Sequence, residues 1–165
     1  MEVILIGFMG SGKSTISKLL GEKLNLEVRD LDQVIVDYEN SSIHDIFLTK
    51  GEPYFRQLEF EMLQQQADFN GVLATGGGTI INGNCASHVQ ASDVPVVLLD
   101  MSDNAIEDRL GKRAGRPLAS SKTTDELIEL KHERDGRYHE CADFVVKTDY
   151  KNPKQVVDEI IEYLK

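Results

Sequence analysis

Five short apolar segments alternate along the chain with segments of helical periodicity. The apolar segments predict β-strands at Glu2–Ile6, Glu27–Arg29, Val72–Thr75, Val94–Asp100 and Phe144–Lys147. In the fourth segment the letters VPVVLL are apolar at consecutive positions, which is typical of a strand that is buried on both faces. Strands that alternate with helices predict a parallel sheet wrapped by helices.

Several of the predicted helices carry a recognisable first turn. Asn152 precedes Pro153, which places a capping side chain before a residue of fixed φ. Thr123 and Glu126 have the spacing of a capping box, and Ser102 is placed to cap the helix that follows it. These residues predict where three of the helices begin.

Two segments interrupt the simple alternation of strands and helices. Residues 31–68 form a helical pattern of about forty residues, which is long for a plain crossover. Residues 111–122, GKRAGRPLASSK, are polar and basic in an otherwise acidic chain. Long insertions on the ligand side of an α/β sheet usually form lids and binding subdomains. We therefore expect one domain, residues 1–165, with a substrate-binding insertion and a lid.

The composition excludes several classes of function. The chain has 165 residues, 41% of them hydrophobic, which is ordinary for one globular domain. The net charge of −10 argues against a nucleic-acid partner, because phosphate backbones are bound by clustered lysines and arginines. An anionic ligand must therefore be held by a few local cations.

The sequence also predicts the compartment. No apolar run approaches the roughly 20 residues of a membrane-spanning helix, and the first strand leaves no room for a leader. Cys85 and Cys141 lack metal-ligand or C-x-x-C spacing, so each is predicted to be a buried reduced thiol. We expect a cytoplasmic protein, or the mature form of an organellar one, that does not bind membranes.

The letters GFMGSGKST follow the first predicted strand directly, and they fit the spacing G-x-x-x-x-G-K-[ST]. In that motif backbone N–H groups surround a phosphate, the lysine reaches the β- and γ-oxygens, and the hydroxyl ligates Mg²⁺. The alternative is a glycine-rich turn before a helix. The predicted phosphate-binding residues are Gly10, Ser11, Gly12, Lys13, Ser14 and Thr15.

Two carboxylates end the second predicted strand, in the letters VRDLDQ. Residues two apart on a strand point the same way, so Asp30 and Asp32 are expected to face the phosphate site together. Mg²⁺ bound to ATP takes a carboxylate ligand beside the Ser14 hydroxyl, and a second carboxylate can accept a proton from an acceptor hydroxyl. The alternative is a solvated loop with a helix-capping aspartate.

Arginines and glycines supply the remaining candidates. Arg56 and Glu59 are three apart on a predicted helix, where they form either a functional pair or a surface ion pair. Gly76–Gly78 follow the third strand, which suggests a ligand pressed against the backbone or a mobile loop. Further arginines, suited to carboxylates and phosphoryl groups, are Arg113, Arg116, Arg134 and Arg137.

Taken in order, these motifs resemble the shikimate kinase family. They are GFMGSGKST, D-x-D, G-E-x-x-F-R-x-x-E, T-G-G-G, R-P-L and R-x-x-x-Y-x-x-x-A-D, and they cover nearly all of the chain. The resemblance implies a three-layer α/β/α P-loop kinase fold with a five-stranded parallel sheet in the order 2-3-1-4-5. It also implies transfer of the ATP γ-phosphoryl group to the 3-hydroxyl of shikimate, a step of chorismate biosynthesis.

The resemblance assigns roles on the acceptor side of the site. Asp32 would hold and deprotonate the shikimate hydroxyl. Arg56, Arg134 and the backbone of Gly76–Gly78 would bind shikimate, with both arginines drawn to its carboxylate. Glu59 would orient Arg56. Arg134 is chosen over its neighbour because its spacing to the later tyrosine fits the motif.

The resemblance also assigns roles on the donor side. Lys13 would contact the phosphates, and Ser14 and Asp30 would lie at Mg²⁺. Arg116 would be the lid arginine that closes onto the phosphates, and Arg109 would lie against adenine. A monomer is expected. The alternatives are another small-molecule P-loop kinase, for gluconate or a nucleotide, and a kinase-like binding protein without catalysis.

Overall fold

One parallel sheet forms the centre of the molecule. The computed structural model describes residues 1–110 and 122–165. The strands are β1 Val3–Ile6, β2 Glu27–Asp30, β3 Gly71–Ala74, β4 Val96–Asp100 and β5 Phe144–Lys147. They pair in parallel in the order β2-β3-β1-β4-β5. The predicted class and strand order are confirmed, and the predicted strand ends differ from the observed ones by a residue or two.

Helices surround the sheet. In the described part of the chain they are α1 Lys13–Leu24, α2 Leu31–Glu39, α3 Ile43–Lys50, α4 Glu52–Gln64, α5 Gly83–Gln90, α6 Asp103–Leu110, α7 Thr124–Cys141 and α8 Pro153–Tyr163, with a 3₁₀ helix at Thr79–Ile81. The insertion predicted at 31–68 is helical and contains α2, α3 and α4. The predicted lid at 111–122 lies outside the described residues, apart from its last position.

The predicted helix starts are confirmed by their hydrogen bonds. The Thr123 hydroxyl accepts from the backbone N–H of Glu126, whose carboxylate accepts from the N–H of Thr123 in return. Asn152 caps α8 and Ser102 accepts from the N–H of Ala105 in α6. Each cap satisfies N–H groups that the first turn of a helix leaves without partners.

The alternation of side chains along β1 explains the three layers. Ile4 and Ile6 pack in one apolar cluster with helices α2 to α7, whereas Val3 and Leu5 pack in another with α1 and α8. Since successive strand residues point to opposite faces, an entirely apolar strand requires cover on both sides. This is why the apolar runs in the sequence are continuous.

Two further expectations concern cysteines and membranes. Cys85 and Cys141 are both buried free thiols, as predicted. Within residues 1–110 and 122–165, no helix combines the length and apolar character that crossing a membrane requires.

The strand order decides where a ligand can bind. The loop after β1 lies at the centre of the carboxyl edge of the sheet, with the ends of β3 and β2 on one side and those of β4 and β5 on the other. In open parallel sheets, ligands bind at this edge, where loops diverge to opposite faces. The loops that follow these strands therefore meet at one site.

Candidate active site

The loop between β1 and α1 has the conformation of a phosphate-binding loop. Gly10 has a φ of 76° and Gly12 a φ of 97°, in the left-handed region that favours glycine. Helix α1 begins at Lys13, so its N-terminal N–H groups face the loop, where an anion is stabilised. The buried Lys13 ammonium donates to the carbonyls of Gly7 at 2.6 Å and Phe8 at 3.0 Å, which holds its charge inside the loop.

Ser14 and Asp30 meet beside this loop. The Ser14 hydroxyl donates to Asp30 Oδ2 at 3.3 Å, and Asp30 Oδ1 accepts from the backbone N–H of Asp32 at 3.0 Å. Asp30 is thus also the cap of helix α2. A hydroxyl and a carboxylate at this spacing are the hard oxygen donors that Mg²⁺ prefers.

Asp30 and Asp32 are not placed by strand alternation, contrary to the prediction from the sequence. They do not share a strand: Asp30 ends β2, whereas Asp32 lies in the first turn of α2. The helix starts as soon as the strand ends, so strand alternation does not apply to the pair. The capping role and the position beside Ser14 belong to the same residue, Asp30, rather than being alternatives.

Asp32 lies among charges of both signs. Burial first, and then the carboxylates of Asp30 and Glu59, raise the pKa of Asp32 from 3.8 to about 6. The cations of Lys13 and Arg56 act in the opposite direction but do not cancel these effects. A carboxyl group with a pKa in this range is ionised at neutral pH and still basic enough to accept a proton in a reaction.

Each of the three consecutive glycines leaves room for an atom of another residue of the site to lie against the backbone. A Cβ on Gly76 would lie 2.7 Å from Asp32 Oδ1, and one on Gly78 would lie 2.8 Å from an Arg56 guanidinium nitrogen. A Cβ on Gly77 would lie 3.2 Å from the backbone nitrogen of Met9 in the phosphate loop. A positive φ does not explain these glycines, because none of the three has a φ in the left-handed region.

Arg56 is held from below by a buried carboxylate. Arg56 Nη1 donates to Glu59 Oε2 at 2.8 Å, and the hydroxyl of Thr79 donates to Glu59 Oε1 at 2.8 Å. The Glu59 side chain is only 1% exposed. The Asn82 side chain also donates to the Arg56 carbonyl. The pair is therefore not the surface ion pair that was the alternative, and Thr79 is a partner that the sequence pattern did not single out.

Helix α7 brings Arg134 to the same edge. The Arg134 guanidinium carbon lies 6.0 Å from the ring centroid of Phe8, in the phosphate loop. Its neighbour Arg137 is 45% exposed and pairs with Glu140. Tyr138 is buried and donates to the Gly77 carbonyl at 2.5 Å. The spacing of Tyr138 from Arg134 already indicates that the two share a helix face.

Arg109 lies on the opposite side of the phosphate loop from Asp32. Its guanidinium donates to the Thr148 hydroxyl at 3.1 Å and to the Thr148 carbonyl at 3.2 Å, in the loop after β5. The prediction that Arg109 lies against adenine stays a prediction. Arg113 and Arg116 lie outside the described residues.

A central phosphate loop, with a carboxylate of raised pKa and one arginine beside it and a second arginine over it, is the arrangement of a P-loop kinase for a small anionic acceptor. The comparisons with known proteins identify which one. The family model described as shikimate kinase matches residues 9–165, so the chain belongs to the shikimate kinase family. Its activity is the ATP-dependent phosphorylation of shikimate, rather than that of gluconate or a nucleotide.

Individual relatives match this chain over more than nine-tenths of their own lengths. The shikimate kinase of Limosilactobacillus fermentum is 43% identical, over 100% of this chain and 96% of its own. The crystal structure of the shikimate kinase from Aquifex aeolicus superposes with a TM-score of 0.82 at 39% identity, covering 99% of this chain and 96% of its own. The shikimate kinase of Acinetobacter baumannii, solved in complex with shikimate, superposes with a TM-score of 0.89 at 27% identity, covering 98% and 91%.

Proposed function

We propose that Asp32 is the base of the shikimate kinase reaction and that the acceptor lies between Asp32, Arg56 and Arg134. The observation that carries this proposal is the position of Asp32, against Gly76 and within the fields of Lys13 and Arg56. The 3-hydroxyl oxygen of shikimate forms a bond to the γ-phosphorus while the bond to the bridging oxygen of ADP breaks. The hydroxyl proton moves to the Asp32 carboxylate.

The acceptor is recognised by its carboxylate. Two guanidinium groups bind a planar carboxylate through paired hydrogen bonds better than lysine does. Arg56, on α4, lies against Gly78, and Arg134, on α7, lies near Phe8 in the phosphate loop. Backbone N–H groups of Gly76–Gly78 would add donors to the acceptor. The complex of the Acinetobacter baumannii relative with shikimate supports the choice of ligand.

The donor is held by the phosphate loop. Lys13, the N–H groups from Gly10 to Thr15 and the N-terminus of α1 bind the phosphate oxygens of ATP. Ser14 and Asp30 would hold Mg²⁺, which neutralises charge on the β- and γ-phosphates. Arg109, on the β5 side, is proposed to contact adenine.

The R-P-L motif supplies one further residue for the donor side of the site. Arg116, in the R-P-L motif, is proposed to neutralise charge that develops on the phosphates. We also propose a monomer in the cytoplasm, since residues of one chain supply the whole proposed site and the reaction depends on ATP.

The proposed acceptor site is tested by replacing each of its two arginines separately. Arg56→Met and Arg134→Met should each raise the KM for shikimate at least about tenfold and leave the KM for ATP within about twofold. Arg137→Met is the matched control, because Arg137 is an exposed arginine on the same helix. Equal effects of Arg134→Met and Arg137→Met, or a change confined to the KM for ATP, would show that the acceptor is bound elsewhere.

An altered acceptor makes the test specific for the carboxylate. The methyl ester of shikimate lacks the negative charge, so the unchanged protein should prefer shikimate strongly. Arg134→Met should reduce that preference. The substitution removes the interaction of the guanidinium with the shikimate carboxylate, and the ester does not make that interaction even with the unchanged protein. An undiminished preference in both arginine variants would contradict the proposed contact.

A further inference from the structure

Helix α7 crosses the carboxyl edge of the sheet, and its contacts follow the order of the strands. Lys131 pairs with the end of β4, Arg134 lies over the loop after β1, and Tyr138 bonds to the loop after β3. In the sheet, β1 lies between β4 and β3. Successive turns of one helix face therefore meet three neighbouring strand ends, and Arg134 lies between two fixed points.

The first fixed point is a buried ion pair. The Lys131 side chain is 8% exposed, and its ammonium lies 3.1 Å from Asp100 and 2.9 Å from Asp135. Burial alone would lower the pKa of Lys131, but the two carboxylates raise it above its ordinary value, so the side chain stays charged. Asp100 is the last residue of β4, so the pair binds α7 directly to the sheet.

The second fixed point is the hydroxyl of Tyr138. It donates to the Gly77 carbonyl at 2.5 Å from a side chain that is almost fully buried. In a trans peptide the carbonyl of Gly77 and the N–H of Gly78 point in opposite directions. Fixing that carbonyl therefore also fixes the direction of the Gly78 N–H. Gly77 in turn lies against the phosphate loop, so the bond reaches the place where the two loops touch.

We infer that Lys131 and Tyr138 are positioning residues that together fix Arg134 above the phosphate loop. Arg134 follows Lys131 by three positions and precedes Tyr138 by four, so all three lie on one helix face. The inference rests on the proposed function, in which Arg134 binds the acceptor carboxylate. Neither positioning residue is required to touch a substrate.

The test begins with Lys131→Met, which keeps the aliphatic chain and removes the charge. The KM for shikimate should rise about five- to tenfold, whereas the KM for ATP should stay within about twofold. Lys131→Arg should restore most of the affinity. Lys23→Met is the matched control, because it breaks a lysine–aspartate pair between α1 and α8 on the other face of the sheet, and it should leave both KM values unchanged.

A double variant separates positioning from stability. Lys131→Met leaves the Asp100 and Asp135 carboxylates facing each other without their cation, which lowers the Tm. Adding Asp100→Asn removes that repulsion and should recover the Tm, but it does not rebuild the link to α7. The KM for shikimate should therefore stay high in the double variant. Recovery of KM together with Tm would overturn the inference.

Arg134→Met distinguishes failure of the inference from failure of the proposed function. If Arg134→Met leaves the KM for shikimate unchanged, the proposed acceptor contact itself is wrong. If Arg134→Met raises that KM but Lys131→Met and Tyr138→Phe do not, the contact stands and the inference is overturned. The inference also predicts that Lys131→Met reduces the preference for shikimate over its methyl ester, as Arg134→Met does.

Discussion

The Arg56 guanidinium donates to the Glu59 carboxylate across 2.8 Å, and the Glu59 side chain is almost completely buried. The second carboxylate oxygen of Glu59 accepts from Thr79. Both oxygens of a buried anion are thus used, one of them by the arginine that is proposed to bind the acceptor. Because the Arg56 guanidinium neutralises this buried carboxylate, it has few alternative positions.

Removing Arg56 should therefore destabilise the fold as well as weaken acceptor binding. Arg56→Met leaves the buried Glu59 charge without its cation, and we expect a loss of about 3 kcal/mol in the free energy of unfolding. Urea denaturation measures the loss. Adding Glu59→Gln should restore most of the stability and none of the shikimate affinity. A single variant as stable as the unchanged protein would mean that Glu59 does not depend on Arg56.

At pH values where Asp32 is ionised, it should lower the free energy of unfolding. Its pKa in the folded protein is about 6, above the ordinary 3.8, so the folded state disfavours the charged form. The penalty is absent below about pH 4 and complete above about pH 6, with a ceiling of roughly 3 kcal/mol. Asp32→Asn should therefore stabilise the protein at pH 8 and not at pH 4, as followed by denaturation at both values. Equal stability of the two proteins at pH 8 would show that Asp32 carries no such penalty.

The Asp32 carboxyl group should also determine how kcat/KM for shikimate depends on pH. As the base, Asp32 must be ionised before shikimate binds, so kcat/KM for shikimate should fall with unit slope below about pH 6. Asp32→Asn should lower turnover by a factor of about 10² to 10⁴ and remove this limb from the residual activity. A limb that persists unchanged in the variant would assign the titration to another group.

Gly136 is a site where the fold can be improved. It lies inside α7, and a Cβ built there meets nothing within 4 Å. Gly136→Ala should raise the free energy of unfolding by about 0.5 to 1 kcal/mol, because alanine loses less backbone entropy in a helix.

A second helical glycine provides the control for Gly136. A Cβ on Gly21 would lie 2.3 Å from a Val28 methyl carbon and 2.9 Å from the Leu26 carbonyl oxygen. Gly21→Ala should therefore destabilise the protein by about 1 to 3 kcal/mol through overpacking. Destabilisation by both substitutions would mean that α7 is more crowded at Gly136 than its surroundings indicate.

Local pattern and spacing predicted much of the molecule. Apolar runs marked the five strands, and the spacing of Gly7, Gly12, Lys13 and Ser14 marked the phosphate loop, because such signals depend on residues near one another in sequence. The strand order came instead from the resemblance to a family, since periodicity carries no information on which strands pair.

Contacts between distant segments could not be predicted in this way. Strand alternation treats Asp32 as a strand residue, but α2 begins at Leu31, where the helical pattern of residues 31–68 was predicted to begin, so Asp32 lies in the first turn of a helix. The reason for Gly76–Gly78 also depends on tertiary structure, because the atoms pressed against them come from α2, the phosphate loop and α4. The pairing of Lys131 with Asp100 gave no sequence signal, because the two residues are thirty-one positions apart, whereas Asp135, its other partner, is only four positions away.

The most direct test of the account is ADP formation by the full chain with MgATP, measured with and without shikimate. Lys13→Met serves as the inactive reference and Lys18→Met, an exposed lysine on the same helix, as the matched control. We predict that ADP formation depends on shikimate in the unchanged protein and in Lys18→Met, with one shikimate 3-phosphate formed per ADP. Lys13→Met should form neither product. ADP released at the same slow rate with and without shikimate would contradict the account.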